Sequence, residues 1–134
     1  YFNVYGPRMA TEGAYASVVS IFGQQRQEGE PLTVAGDGTN LRTYTYVEDI
    51  IKANILAAKS DIADGRAINA GQSTEYTVNQ IAKIFGGPTA KIAFRIEPVR
   101  NLCSNVLAKK LLGWQPTMDL PEWLENYYKK EKGF

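Results

Sequence analysis

The sequence has 134 residues, 44% of them hydrophobic and 22% charged, with a net charge of +1. A chain of this length is expected to fold as one domain, residues 1–134, that buries about two thirds of its unfolded surface. So small a net charge favours neither nucleic acid nor an acidic membrane as a partner. With Cys103 as the single cysteine and no histidine, an internal disulfide, zinc sites and Ser/His or Cys/His hydrolysis are excluded, and we expect no metal site.

The sequence also carries signals about its context. No apolar run approaches the roughly twenty residues that span a bilayer, and no signal-peptide pattern opens the chain, so a cytoplasmic location is the default expectation. The chain has no initiating methionine and starts on Tyr1, inside an apparent strand. We therefore expect it to be part of a longer protein.

The first third of the chain predicts a strand, a helix and a second strand. Residues 1–5 indicate the first strand, in which Asn3 is unusual because asparagine is poor in strands. Its amide either bonds the following turn or faces a ligand. Residues 13–28 have the apolar spacing of an amphipathic helix that includes Ser17, and residues 32–35 form the second strand. The apolar positions of the helix are Tyr15, Val18, Val19 and Phe22.

One arginine follows, after a Gly-Asp-Gly turn. Residues 41–47 alternate in the manner of a half-buried strand, which places Arg42 and Tyr44 on one face. A guanidinium is seldom buried without a partner, and its planar fork of donors suits a phosphate. The alternative is a surface ion pair of Arg42 with Glu48 or Asp49, and spacing alone leaves both open.

The remainder of the chain predicts four helices and two strands. The helices are expected at residues 47–58, 78–85 and 104–112 and from Asp119 onward, and the strands at 67–70 and 91–95. On the first of these helices, Ile51, Ile55 and Asn54 are expected on the buried side. After the last strand, Arg95 and Glu97 offer either a second contact for an anion or hydroxyl, or a simple surface ion pair.

Seven segments match those of one family in order and spacing. They are residues 1–8, 14–22, 29–34, 36–39, 42–49, 69–71 and 108–114. This pattern resembles the extended short-chain dehydrogenase/reductases that act on nucleotide sugars, such as UDP-glucose 4-epimerases and sugar-nucleotide dehydratases. The resemblance implies an α/β fold with a small mixed sheet and flanking helices, namely the carboxyl-terminal, substrate-binding domain of such an enzyme without its NAD-binding Rossmann half.

The resemblance also implies which residues face the substrate. Arg42 would grip the diphosphate with Tyr44 beside it, and Asn3 would contact the diphosphate or the sugar. Phe2 matches the position whose backbone approaches the nicotinamide of NAD. The other substrate-facing positions are Ser17 and Val18 beside the nucleotide, Thr33 and Ala35 beside the base, and Arg95 and Glu97 near the ribose.

Two of the departures from the family pattern concern the substrate site. The family usually has Asp after the arginine, whereas Thr43 stands here and removes a charge that could orient Arg42. The Arg-Pro-Gly-Asp/Glu segment near the ribose appears only as Arg95-Ile96-Glu97, one residue shorter. Both departures bear on how the ribose and the diphosphate are recognised.

Catalysis in this family requires parts that the sequence lacks. It uses a glycine-rich turn under the NAD pyrophosphate and a Tyr-x-x-x-Lys pair as acid and base. No such glycine turn occurs, and the one Tyr-x-x-x-Lys, Tyr128 with Lys132, lies on the apolar face of the last helix near a chain end. We therefore assign no catalytic residue and expect NAD not to bind this chain alone.

The function expected is the UDP-sugar-binding part of a NAD-dependent nucleotide-sugar epimerase or dehydratase, inert by itself. The alternatives are a stand-alone non-catalytic domain that binds a nucleotide or a protein, and a small α/β protein without a ligand. In the first case the face around residues 1–5 and the helix from Tyr15 should be apolar, either for a separate Rossmann domain or for self-association.

Overall fold

Three small β-sheets with helices packed around them form the structure within the residues that it describes, which are 1–13, 15–94 and 96–133 of a computed structural model. The predicted α/β class, with a small mixed sheet arrangement and flanking helices, is confirmed. None of the helices in these ranges is long and apolar enough to cross a membrane.

The strands are paired mostly in parallel. They are β1 (Val4–Tyr5), β2 (Leu32–Ala35), β3 (Leu41–Thr43), β4 (Thr45–Tyr46), β5 (Glu75–Thr77), β6 (Thr89–Ile92) and β7 (Arg100–Asn101). β1 pairs with β4 and β2 with β6, both in parallel, and β3 lies between antiparallel β5 and parallel β7. The helices are α1 (Val18–Glu28), α2 (Val47–Ala58), α3 (Val78–Phe85), α4 (Val106–Leu112), α5 (Leu120–Trp123) and α6 (Lys129–Lys132), with a 3-10 turn at Asp61–Ala63 and a π-helical segment at Leu124–Tyr128.

Two apolar clusters hold these elements together. The larger lies among α1, β2, α3 and the last helices, where Trp123 stacks on Tyr128 with ring centroids 5.0 Å apart and lies 5.1 Å from the ring of Tyr5. The smaller joins α2 to α4 around Trp114, which is 2% exposed. Its indole N–H donates to the carbonyl of Asp49 at 2.8 Å, so the second cluster also fixes the start of α2.

Helix α1 begins at Val18, five residues later than the predicted start. Ser17 is extended, with φ −87° and ψ 162°, and its hydroxyl oxygen accepts the N–H of Ser20 at 3.3 Å as a helix N-cap. Val19 and Phe22 are buried as expected, whereas Tyr15 lies before the helix and is 92% exposed. The prediction erred because the apolar spacing extends past the residue that caps the helix.

The strand predicted for residues 41–47 is two strands that belong to different sheets. β3 pairs with β5 and β7, and β4 pairs with β1. Tyr44, between them, belongs to neither strand. Residues 67–70, also predicted as a strand, are irregular. Tyr44 therefore lies at a corner between two sheets, where it is 3% exposed, and not on the face of one continuous strand.

Helix α2 buries a narrower stripe than predicted. Ile50 and Ala53 are buried, but Ile51 and Ile55 are 51% and 49% exposed. Asn54, expected in the core, is exposed and accepts a hydrogen bond from the Tyr1 hydroxyl at 2.6 Å. One side of α2 is therefore apolar and uncovered by the described part of the chain.

A buried carboxylate fixes the loop before α5. Asp49 is fully buried, and its oxygens accept the N–H and hydroxyl of Thr117, at 2.8 and 2.6 Å, and the N–H of Met118 at 3.2 Å. Lys52 pairs with it at 3.3 Å. Burial is the strongest single influence and opposes ionisation, but the hydrogen bonds together outweigh it, so the pKa of Asp49 lies below its usual value.

We predict that Asp49→Asn lowers the free energy of unfolding at pH 7 by about 1.5 to 3 kcal/mol, since charge-assisted hydrogen bonds are lost. Because the folded pKa is depressed, this stabilisation is present above about pH 4, where an unfolded aspartate ionises, and is lost as the pH falls through the lower folded value. Urea denaturation at pH 7 and pH 3 measures both effects.

The matched control is Asp64→Asn, at an exposed aspartate. It should leave the unfolding curve at pH 7 within about 0.5 kcal/mol of the wild type. Equal stability of the wild type and Asp49→Asn at pH 7 would contradict the assignment of Asp49 as the residue that fixes this loop.

Candidate functional site

One cavity of about 270 Å³ collects most of the residues predicted to face a substrate. It lies among the start of α1, β2, the corner between β3 and β4, and the segment after β6. The predicted residues that line it are Asn3, Ser17, Val18, Thr33, Ala35, Arg42, Tyr44 and Glu97. Arg95 lies outside the described residues, and Phe2 does not line the cavity.

Arg42 is held in the cavity wall by two contacts. Its Nη1 donates to the carbonyl of Leu41 at 2.8 Å, and its Nη2 donates to Glu97 Oε2 at 2.7 Å. The Arg42 side chain is 12% exposed and that of Glu97 is 37% exposed. The predicted alternative of a pair with Glu48 or Asp49 is wrong, because the partner comes from the loop after β6.

The Arg42 guanidinium keeps donors to spare. It carries five N–H groups in a plane, and the two contacts above use only one on each terminal nitrogen. An anion in the cavity would meet the remaining N–H groups together with the carboxylate of Glu97. The ion pair with Glu97 thus orients Arg42. An Asp at the position of Thr43 could have helped to orient it in the same way.

Thr43 lies at a position with no room for a larger, charged side chain. It is fully buried on β3, between β5 and β7. Its hydroxyl donates to the carbonyl of Asn101 at 3.5 Å, a long contact that anchors the strand. A carboxylate there would be buried without an obvious cation, since Arg42 points along the cavity wall to Glu97.

Asn3 lines the same cavity as Arg42 and holds the corner at Tyr44. Its backbone has φ 38°, an uncommon value for a residue other than glycine. Its Nδ2 donates to the carbonyl of Thr43 at 2.8 Å, and its own carbonyl accepts the N–H of Thr45 at 3.2 Å. These bonds bracket Tyr44 on both sides. The second N–H of the Asn3 amide donates to no partner and its Oδ1 accepts from none within the described residues, and Asn3 lines the cavity.

Tyr44 remains a neutral phenol. Burial raises its pKa most strongly; the positive charge of Arg42 opposes this, and the negative charge of Glu97 adds to it. A neutral hydroxyl both donates and accepts hydrogen bonds, so Tyr44 can serve a phosphate oxygen or a sugar hydroxyl but not act as a ready base.

The start of α1 supplies donors to the same space. Ser17 and Val18 line the cavity at the first turn, where backbone N–H groups have no partner inside the helix and the dipole is positive. Sequence reasoning missed several apolar lining residues: Ala16, Ile21, Phe22, Val78 and Ile92. Val78 had a usable signal in the sequence, because the capping box at Thr77 fixes where α3 starts, whereas Ile92 is located only by its pairing with Ala35 in the sheet.

Phe2 and Tyr128 do not line the cavity. Phe2 is half-buried beside Gly71, where an added Cβ would come within 3.2 Å of its ring. Tyr128 packs in the core with its hydroxyl against Gly23, and burial raises its pKa. A phenol in that setting is a packing element and is not positioned to exchange protons with a ligand in the cavity.

Comparison with known proteins shows the family of the chain. The model of the NAD dependent epimerase/dehydratase family matches residues 1–71. The chain belongs to this family. It is 34% identical, over 97% of its own length, to UDP-glucuronic acid decarboxylase 1 of Xenopus tropicalis, of which it covers 32%.

Solved structures agree with this assignment. The chain superimposes on UDP-glucose 4-epimerase of Thermotoga maritima, solved with UDP-glucose, with a TM-score of 0.87 and 33% identity, covering 99% of this chain and 44% of that one. For UDP-glucuronic acid 4-epimerase of Bacillus cereus, in complex with UDP-glucuronic acid and NAD, the TM-score is 0.82 at 30% identity, with 99% and 44% covered. The chain therefore spans less than half of the length of these relatives.

We predict that Glu97→Gln raises the affinity of the chain for inorganic pyrophosphate about two- to fivefold, the scale of a partly exposed ion pair. The anion then no longer competes with a carboxylate for Arg42. Isothermal titration calorimetry at low ionic strength measures the change.

The matched control is Glu75→Gln, which removes the carboxylate that pairs with Arg100 on the same sheet but outside the cavity. It should leave the pyrophosphate affinity unchanged. A weaker affinity in Glu97→Gln would show that Glu97 does not compete with the anion.

Proposed function

We propose that this chain is the sugar-nucleotide-binding part of a NAD-dependent nucleotide-sugar epimerase or dehydratase, forming a single binding domain across residues 1–134. The observation that supports this most directly is the cavity in which Arg42, Asn3 and the start of α1 converge. The expected ligand is a UDP-sugar. Family membership supports the reaction class, and the relatives solved with UDP-glucose and UDP-glucuronic acid support the ligand class.

The proposed contacts follow from charge and donor geometry. Arg42 would bind the diphosphate through its free N–H groups, assisted by the positive end of α1 at Ser17 and Val18. Tyr44 and Asn3 would hydrogen-bond the diphosphate or the adjoining sugar. Glu97 would give up its bond to Arg42 and accept a hydrogen bond from a ribose hydroxyl instead, since a carboxylate accepts from hydroxyl groups.

The size of the cavity limits what this chain encloses. Its volume of about 270 Å³ lies just under the range of about 300 to 1,000 Å³ typical of small-molecule sites. The chain would thus cover the nucleotide, and the sugar would extend toward a second domain. Its task in the reaction would be to fix the position of the sugar, a contribution to rate through orientation.

The described residues do not fit NAD. The turn with Gly36 and Gly38 joins β2 to β3 and not to the start of a helix, where a pyrophosphate would be bound. Asn79 closes this turn by donating to the carbonyl of Asp37 at 2.8 Å, and an added Cβ on Gly38 would collide with its side chain. The nicotinamide would therefore be held by the second domain, with Phe2 as its proposed neighbour on this chain.

A surface for the second domain is available, though not where the sequence predicted it. Tyr5 is buried and Val19 and Phe22 of α1 lie in the core, so among the described residues 1–13 and 15 the only large apolar side chains that are exposed are Tyr1 and Tyr15. The side of α2 that carries Ile51 and Ile55 is apolar, and both side chains are exposed. We propose that an NAD-binding domain covers this side of α2. The same surface would serve the alternative, a stand-alone domain that binds another protein.

We predict that the isolated chain binds UDP and that Arg42→Ala weakens binding by about 1.5 to 3 kcal/mol, the value of a charge-assisted contact. Titration calorimetry with UDP measures both. Arg100→Ala is the matched control, because Arg100 lies on the same sheet and pairs with Glu75 at 2.6 Å but does not line the cavity. Equal losses in the two variants would remove Arg42 from the site.

We also predict that the wild-type chain self-associates at high concentration and that the double variant Ile51→Glu/Ile55→Glu stays monomeric. Charges on the exposed side of α2 oppose burial of that surface without entering the core. Sedimentation velocity across a concentration series tests this. A monomeric wild-type chain throughout the series would contradict the proposed contact surface.

A further inference from the structure

A glutamine outside the cavity is bonded twice to a residue that lines it. Gln25, in the last turns of α1, accepts the backbone N–H of Thr33 through Oε1 at 3.1 Å. Its Nε2 donates to the hydroxyl oxygen of the same residue at 2.8 Å. Thr33 lines the cavity and Gln25 does not.

The turn between the two residues makes this pairing rigid. The helix ends at Gly29, which has φ 73°, and the N–H of Glu30 returns to the carbonyl of Gln25 at 2.8 Å. This return brings β2 alongside the last turns of α1. Both Gln25 and Thr33 are half-buried, so each side chain is partly shielded from solvent.

Hydrogen-bond chemistry fixes the direction of each bond. A backbone N–H can only donate, so the atom of Gln25 that faces it must be the amide oxygen. The amide nitrogen then faces the hydroxyl of Thr33, and because an amide nitrogen only donates, the hydroxyl oxygen must accept. The hydroxyl hydrogen of Thr33 is left over, and it has no acceptor within the described residues.

We propose that Gln25 is a positioning residue that makes the Thr33 hydroxyl a donor toward the bound nucleobase and so favours uracil over cytosine. The inference rests on the proposed function of the cavity. Uracil carries a carbonyl acceptor at carbon 4, where cytosine carries an amino donor. A hydroxyl fixed as a donor matches the first and leaves two donors facing each other in the second.

The variant that tests this is Gln25→Glu. A glutamate keeps the shape and still accepts the N–H of Thr33, but its second oxygen also accepts, so the Thr33 hydroxyl turns to it and presents its oxygen to the cavity. We expect the wild-type chain to bind UDP about three- to tenfold more tightly than CDP, the scale of one hydrogen bond. In Gln25→Glu this ratio should fall to one or below.

Three controls separate this effect from charge and packing. Gln24→Glu makes the same charge change one residue away, at a glutamine bonded to Glu28, and should keep the wild-type ratio. Thr33→Ser retains a hydroxyl and should keep the ratio, whereas Thr33→Val should lose it. In the Thr33→Val background, Gln25→Glu should produce no further change in the ratio. Circular dichroism and thermal unfolding establish that each variant is folded.

The outcomes distinguish this inference from the proposed function. If UDP binds and Arg42→Ala weakens it, but the UDP to CDP ratio is the same in the wild type and Gln25→Glu, the role of Gln25 is wrong and the cavity stands. Equal wild-type affinities for UDP and CDP would overturn it as well. If the wild-type chain binds pyrophosphate but not UDP, the base contact is wrong; if it binds neither, the proposed function fails with it.

Discussion

The site depends on the two hydrogen bonds that Asn3 makes to the corner between β3 and β4. Its side-chain amide donates to the carbonyl of Thr43, and its backbone carbonyl accepts the N–H of Thr45. Because the chain changes sheets between these two residues, Tyr44 is directed inward while Arg42 stays on β3 and faces the same space. Both bonds come from a residue whose positive φ has an energetic cost, which indicates that the surrounding contacts impose this conformation.

The same corner connects the cavity to the rest of the fold. Helix α2 starts immediately after β4, and Asp49 in its first turn binds the loop before α5. The last helices then cover the aromatic core through Trp123. A short stretch of chain thus carries the anion contact on one side and the principal tertiary anchor on the other.

Local patterns in the sequence predicted the elements that complete their hydrogen bonds within themselves. Helix α3 has its capping box at Thr77 and Gln80, and β2 lies between a glycine C-cap and a glycine turn, so both were located correctly. The errors concern features that depend on distant residues. Spacing cannot show that Ser17 ends the apolar run by capping α1, nor that Thr43 and Thr45 pair with strands from different sheets.

The site illustrates the same division. Resemblance to a family predicted the polar residues that line the cavity but not most of its apolar lining. It did not predict the partner of Arg42, because Glu97 is 55 residues away in the sequence. The bonds between Gln25 and Thr33 were missed for a different reason, since a glutamine on a helix gives no signal until the strand beside it is known.

The pairing of Arg42 with Glu97 has a kinetic consequence. At distances beyond a Debye length, roughly 8 to 10 Å at ordinary ionic strength, the two opposite charges largely cancel, and the chain as a whole carries only +1. An approaching anion therefore gains little long-range acceleration from Arg42, whose attraction acts at short range through the N–H groups that Glu97 leaves free. Capture should consequently depend little on the salt concentration.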